Sequence, residues 1–261
     1  MNGFPFAIVG FDLDGTLVDT LDDLAAAVNH TLAQMDRAPL TEATVRPMIG
    51  RGAKHMLEEG LRASGGVPDG AVEGLYPELL RFYEAHIAVH SRPFPGVVAA
   101  LDRLDALGVR TAVVTNKLEG LARQLLGELD LADRMATIIG GDTVGTRKPS
   151  PEPIRAMIER CGGGRAVFIG DSIYDVMAAK HAGVPSLAVS FGFLDRPAGE
   201  LGADHVIDHF DELVPLLARD DWGRVTQPLL EQAFYIRSHW LRMPPAMLAK
   251  HLWTKWQKQH S

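Results

Sequence analysis

Short apolar runs and amphipathic stretches alternate along most of this chain. FAIVGF (residues 6–11), VRTAVVT (109–115), MATIIG (135–140), RAVFIG (165–170) and SLAVS (186–190) are apolar runs of strand length. Being continuous rather than alternating, they predict buried strands. Helical spacing fills most of the intervals. Leu21, Leu24, Ala25, Val28, Leu32 and Met35 recur at steps of three and four, with Thr20 placed as N-cap and Asp22 and Asp23 in the first turn. Strands that alternate with helices imply crossovers and a parallel sheet. The alternation pauses between residues 18 and 92, where helical pattern continues without a convincing strand, until PFPGV (93–97) breaks the chain and opens a further helix. The pattern predicts an α/β core made of residues 1–17 and 93–219, with an all-helical cap, residues 18–92, inserted after the first strand.

From Asp220 the character changes. The last stretch carries six Lys or Arg against three Asp or Glu, and it holds all four tryptophans, Trp222, Trp240, Trp253 and Trp256. Val225, Leu229, Leu230, Ala233, Phe234 and Leu241 form one helical stripe; Pro244 and Pro245 break it, and Leu248, Leu252, Trp253 and Trp256 form another. Residues 220–261 therefore read as a basic, Trp-rich helical tail. Such a tail folds back on the core, pairs between subunits, or lies on an anionic membrane surface.

Composition narrows the partners. A chain of 261 residues, 46% hydrophobic and 23% charged, has enough apolar material for a sizeable core, and its net charge of −7 argues against nucleic acid as the main partner. The single cysteine, Cys161, cannot form an intramolecular disulfide and fits a reducing compartment, so it reads as structural. The amino terminus lacks a basic n-region, and no stretch approaches transmembrane length, so the expected location is the cytoplasm.

Candidate chemistry sits at the strand ends. FDLDGTLVDT (11–20) places Asp12 and Asp14 just past the first strand, where ligands bind in open α/β sheets. Two like charges so close raise each other's pKa unless a cation compensates, which points to a divalent metal. Thr115 and Asn116 follow a second strand, Lys148 lies in GTRKPSPEP before a helix opened by prolines, and Asp171 follows another strand with Asp175 four residues on. Singly, these read as helix caps, a solvated lysine or a first-turn aspartate. Together, at successive strand ends, they describe a site for an anion bridged to a metal.

FDLDGTLVDT, TNK, RKPSPEP and GDSIYDVMAAKHAG, in this order and spacing, resemble the four motifs of the haloacid dehalogenase superfamily, which is mostly phosphatases. The resemblance spans residues 6 to about 217, and the helical insertion resembles the cap of the branch containing phosphoglycolate phosphatase and β-phosphoglucomutase. It implies a Rossmann-like core, Mg²⁺ as cofactor, a small phosphorylated metabolite as partner, and an aspartyl-phosphate intermediate. By the same resemblance, Asp12 is the nucleophile and a metal ligand, and Asp14 is the general acid/base that also gives the metal a backbone carbonyl. Thr115, Asn116 and Lys148 hold the phosphoryl group, Asp171 binds the metal, and Asp175 supports the metal site and Lys148 from behind.

An acid at position 14 sets the chain apart from the dehalogenase and phosphonatase branches, neither of which protonates an alkoxide leaving group in this way. Phosphonatases also use a cap lysine, and Lys54, the only lysine of the cap, lies in a run more like that of the phosphatases. Arg51, in the turn Gly50-Arg51-Gly52, is a candidate to read a second anionic group on the substrate. The expected activity is Mg²⁺-dependent hydrolysis of a small phosphomonoester, of the phosphoglycolate or sugar phosphate class. The alternatives are a phosphomutase of the β-phosphoglucomutase type and a non-catalytic scaffold acting through the tail.

Overall fold

The computed structural model describes residues 4–194, 196–219 and 222. The apolar runs form a six-stranded sheet, built from β1 (Ile8–Phe11), β4 (Arg110–Val114), β5 (Met135–Ile139), β6 (Ala166–Gly170), β7 (Ser186–Val189) and β8 (His205–Ile207), in the spatial order β5-β4-β1-β6-β7-β8. Every neighbouring pair is parallel. Because β1 and β6 are buried at every position, alternation of polar and apolar residues is absent from them, as a sheet covered on both faces requires. Helices α5 (Val97–Ala106), α6 (Glu119–Glu128), α7 (Glu152–Arg160), α8 (Ile173–Ala182) and the short α9 (Leu213–Leu217) follow or connect these strands. Ile8, Val114, Ile139, Ile154, Met157 and Phe168 pack in one core cluster that also holds Cys161, and burial pushes the Cys161 thiol upward.

Helices α1 (Leu21–Ala33), α2 (Glu42–Val45), α3 (Ala53–Ala63) and α4 (Ala71–Ala85) lie between β1 and β4. Where the chain leaves the sheet region and where it returns, β2 (Val18–Asp19) and β3 (Arg92–Pro93) pair antiparallel, Val18 with Pro93 and Asp19 with Arg92. This two-residue ladder is too short to leave a periodic signature in the sequence. Strand β8 leaves no apolar run either, because its three residues stand between polar neighbours and Val206 is exposed. Asp23 ties the insertion to its exit: it accepts from the amides of His90 and Ser91 and from the Ser91 hydroxyl.

Among the described residues, no helix is long and apolar enough to cross a membrane. The expectations for residues 220–261, namely helical stripes, self-association and contact with a membrane surface, lie outside the described residues, which include only Trp222 there.

Candidate active site

The order β4-β1-β6 places three strand ends side by side at the point where the chain, having built one side of the sheet, crosses to the other. That is the crevice in which open α/β sheets bind ligands. Asp12 follows β1, Thr115 follows β4 and Asp171 follows β6, all buried. The loop between β5 and α7 adds Lys148, whose ammonium lies 2.8 Å from Asp12 Oδ1 and 2.5 Å from Asp175 Oδ1. Lys148 is 2% exposed, so the surface-lysine reading fails; its partners are carboxylates, not water. Burial opposes the charge on this ammonium, but Asp12 and Asp175 outweigh it and hold its pKa above the ordinary value.

Asp175 stands behind the site. Its Oδ2 accepts from the backbone amide and the hydroxyl of Ser172, and the Ser172 hydroxyl in turn accepts from the Asp175 amide, a capping box that opens α8. With Lys148 on the other oxygen, both Asp175 oxygens have protein partners. Asp12 and Asp171 are different. Asp12 Oδ1 accepts from the Leu13 amide at 2.7 Å and from Lys148, while Asp171 Oδ2 accepts from the Phe193 amide at 2.7 Å. The second oxygen of each has no hydrogen bond among the described residues.

The donor set fits a hard divalent cation. Asp12, Asp171 and Asp175 each offer an oxygen within 4.8 Å of the others'. Burial, opposed by Lys148 but reinforced by Asp175 and Asp14, pushes the Asp12 carboxyl up to about 7. Burial and the charges of Asp175 and Asp12 push Asp171 well above the carboxylate range. Three buried carboxylates share one ammonium, Lys148, so a further cation suits the site, and Mg²⁺ typically takes one or two carboxylates. Gly15 allows the approach. Its φ is +79°, and a Cβ there would stand 2.2 Å from Asp171 Oδ2, so the turn of the first motif can press against the second carboxylate only as glycine.

Asp14 faces a separate set of partners. Lys117 donates to both its oxygens, at 2.8 and 2.9 Å, and the Thr20 hydroxyl donates to Oδ1 at 2.8 Å. Thr20 occupies the N-cap position of α1, but it makes no side-chain cap bond; its hydroxyl serves Asp14 instead. Lys117 is buried, with its ammonium 4.6 Å from the centre of the Tyr83 ring of α4. Burial disfavours its charge, yet Asp14 and Tyr83 more than compensate and hold its pKa above the ordinary value, while burial pushes the Tyr83 phenol up to about 12. Sequence reasoning missed Lys117. Its only signal was a lysine directly after the Thr-Asn pair at a strand end.

Of the phosphate-binding candidates, Thr115 accepts from the Lys117 amide at 3.2 Å, which leaves its hydroxyl proton free to donate. The Asn116 side chain is engaged elsewhere: its Nδ2 donates to the carbonyl of Gly50 in the insertion at 2.9 Å and to that of Lys148 at 3.2 Å. The amide therefore clamps a loop of the insertion to the Lys148 loop.

A cavity of about 150 Å³ lies between the strand ends and the insertion. Asp12, Asp14, Thr115, Asn116 and Lys117 line it from one side, and Gly50, Gly52, Met56, Leu79 and Tyr83 from the other. Gly50 and Gly52 thus face the site, but Arg51 does not share their cavity. It lines a neighbouring one of about 360 Å³, beside His55 Nε2 at 3.2 Å and over the Tyr174 ring at 5.5 Å. Arg46 instead bridges the two parts, donating to the carbonyls of Gly192 at 2.8 Å and Phe191 at 3.2 Å, next to the Phe193 amide that holds Asp171.

The pattern described as Haloacid dehalogenase-like hydrolase matches residues 9–189, which include all four motifs. The chain belongs to this family. It is 43% identical over 217 residues to a phosphoglycolate phosphatase of Agrobacterium fabrum, covering 82% of this chain and 92% of the relative. A phosphoglycolate phosphatase of Caulobacter vibrioides is 44% identical over 207 residues, 78% of this chain and 87% of the relative. Among solved structures, one described as a predicted phosphoglycolate phosphatase from Haemophilus somnus superposes with a TM-score of 0.77 at 27% identity, covering 81% of this chain and 98% of that one. The chain is a phosphatase-like hydrolase of the phosphoglycolate phosphatase-like branch, and its fold is the Rossmann-like one that the motifs imply.

Proposed function

We propose that this chain is a Mg²⁺-dependent phosphatase that hydrolyses a small phosphomonoester through a phosphorylated Asp12, with 2-phosphoglycolate as the favoured substrate. The observation that carries the reading is the pairing at the strand ends: one carboxylate held with a free oxygen between Lys148 and Asp171, and a second carboxylate, Asp14, held separately two residues on. The relatives supply the substrate class, and the cavity supports it, since about 150 Å³ is small beside the roughly 300–1,000 Å³ of sites for drug-sized ligands.

In this mechanism the free oxygen of Asp12 attacks phosphorus as the ester P–O bond breaks, and Asp14, which enters this step as the protonated carboxylic acid, gives its proton to the departing alkoxide. Asp14 then takes a proton from water, which attacks the acyl phosphate, releases phosphate and regenerates Asp12. Lys148 and the Leu13 amide fix the plane of the Asp12 carboxylate, so its attacking oxygen needs no reorientation. The Thr115 hydroxyl is free to donate to a phosphoryl oxygen. Asp12, Asp171 and the Asp14 backbone carbonyl would hold Mg²⁺, which supplies the positive charge that offsets the phosphoryl oxygens. Phosphoryl transfer needs this kind of positioning and charge stabilisation more than covalent assistance.

The test is phosphate release from 2-phosphoglycolate, glycerol 3-phosphate and glucose 1-phosphate with Mg²⁺ or EDTA, ranked by kcat/KM. Mg²⁺-dependent release, highest for 2-phosphoglycolate, is expected. No release from any ester would overturn the reading, and conversion of glucose 1-phosphate to an isomer would make the chain a mutase. The buried single cysteine suits a reducing compartment, in keeping with a cytoplasmic enzyme.

A further inference from the structure

Three cationic side chains line the cavity: Lys54, Lys117 and Arg147. Two have partners. Lys54 pairs with Glu73 at 2.9 Å, and Lys117 with Asp14. Arg147, on the loop between β5 and α7 immediately before Lys148, has no carboxylate partner among the described residues. Its guanidinium runs beside the insertion's glycine turn. A Cβ on Gly52 would stand 3.2 Å from Arg147 Nη1 and 3.3 Å from the Asn116 carbonyl oxygen, and the Gly52 φ of +92° favours glycine. Arg147 is an exposed residue at the mouth of the cavity, whose lining also includes the apolar side chains of Leu24, Ile49, Met56 and Leu79 from the insertion. The one carboxylate nearby that is not assigned a role in the reaction, Asp142, accepts from the Glu119 amide at the start of α6.

A guanidinium with no carboxylate partner among the described residues, lining a cavity of about 150 Å³ that Asp12, Asp14 and Thr115 also line, suits a substrate with two anionic ends close together. We propose that Arg147 reads the second anionic group, a carboxylate within one or two carbons of the phosphorylated oxygen, and thereby sets specificity for small phosphorylated carboxylic acids. The planar fork of guanidinium donors matches a carboxylate in two parallel hydrogen bonds, which a neutral hydroxymethyl group cannot reproduce. This role rests on the phosphatase reading above, and it falls to Arg147 rather than Arg51 because Arg51 lines the neighbouring cavity. Lys148 and Arg147 thus divide the work of adjacent positions, one facing Asp12 and the other facing the far end of the substrate.

The experiment compares kcat/KM for 2-phosphoglycolate and 2-hydroxyethyl phosphate, in which CH₂OH replaces the carboxylate, for the full chain with Mg²⁺ and for its Arg147→Met and Arg147→Lys variants. Wild type should prefer 2-phosphoglycolate by about 10- to 100-fold, the range of a charge-assisted hydrogen-bonded pair. Arg147→Met should collapse that ratio towards one, chiefly through a higher KM for 2-phosphoglycolate, because binding that is equal in ground and transition states appears in KM. Arg147→Lys should keep part of the ratio, and it reads the same quantity if the methionine variant folds poorly. A ratio preserved in both variants overturns the proposal. So does a wild-type ratio near one, in which case Mg²⁺-dependent release from both esters leaves the phosphatase reading standing. Release from neither ester would overturn that reading, and this one with it.

Discussion

Lys117→Met is the perturbation that tests the site's second carboxylate. Lys117 is 8% exposed and Asp14 is 9% exposed, and the two make contacts of 2.8 and 2.9 Å. Methionine keeps much of the stem's volume but removes the charge, leaving Asp14 with the Thr20 hydroxyl alone. Breaking a buried pair on one side costs about 3–5 kcal/mol, because the remaining charge is uncompensated. At roughly 2–4 °C per kcal/mol for a domain of this size, Tm should fall by about 10 °C. Asp14→Asn/Lys117→Met removes both charges, and the double-mutant cycle should return a coupling above about 2 kcal/mol in thermal or urea unfolding. In turnover, Lys117→Met should cost about 10- to 100-fold, but the double variant should be no slower than Asp14→Asn alone, since Lys117 acts by holding Asp14. Stability effects that add to within about 0.5 kcal/mol, together with turnover losses that multiply, would refute the reasoning.

Asp12→Asn should abolish turnover while the circular dichroism spectrum stays native, and Asp14→Asn should lower kcat by at least about 100-fold, the lower bound of general acid/base assistance; wild-type turnover in either refutes the assignment. Gly15→Ala drives a Cβ to 2.2 Å from Asp171 Oδ2 at a φ of +79°, so the Mg²⁺ concentration for half-maximal activity should rise about tenfold or more. An unchanged Mg²⁺ dependence would show that Asp171 does not need this approach. The pH dependence of stability follows from burial. With Asp12 pushed up to about 7 and Asp171 raised as well, the native metal-free site binds protons that the unfolded chain releases near pH 4, so stability falls as pH rises through about 7. Mg²⁺ compensates the ionised carboxylates, and the rise in Tm on adding it should be larger at pH 8 than at pH 5; equal rises would contradict the account.

The sequence by itself determined the architecture and the chemical types. Runs such as FAIVGF and RAVFIG are apolar at both parities and of strand length, which suits a sheet covered on both faces, and in a parallel sheet the residues after them lie at its ligand-binding edge. That local logic located Asp12, Thr115 and Asp171 without coordinates. What it could not assign was pairing. Lys148 looked as much like a surface lysine as a buried one, because burial depends on Asp12 arriving from the end of β1 and Asp175 from the first turn of α8. Lys117 had no periodic signature, and its partners, Asp14 and the ring of Tyr83, lie 103 and 34 positions away in the chain. Asn116 was expected to grip phosphate, yet its amide joins the carbonyls of Gly50 and Lys148. Arg51 and Arg147 are equally cationic in the sequence; only the turn through Gly50 and Gly52 and the loop before Lys148 decide which of them lines the cavity. Residue type and spacing are local properties, so the sequence carried them, whereas charge compensation is a sum over neighbours that only the closed tertiary structure assembles.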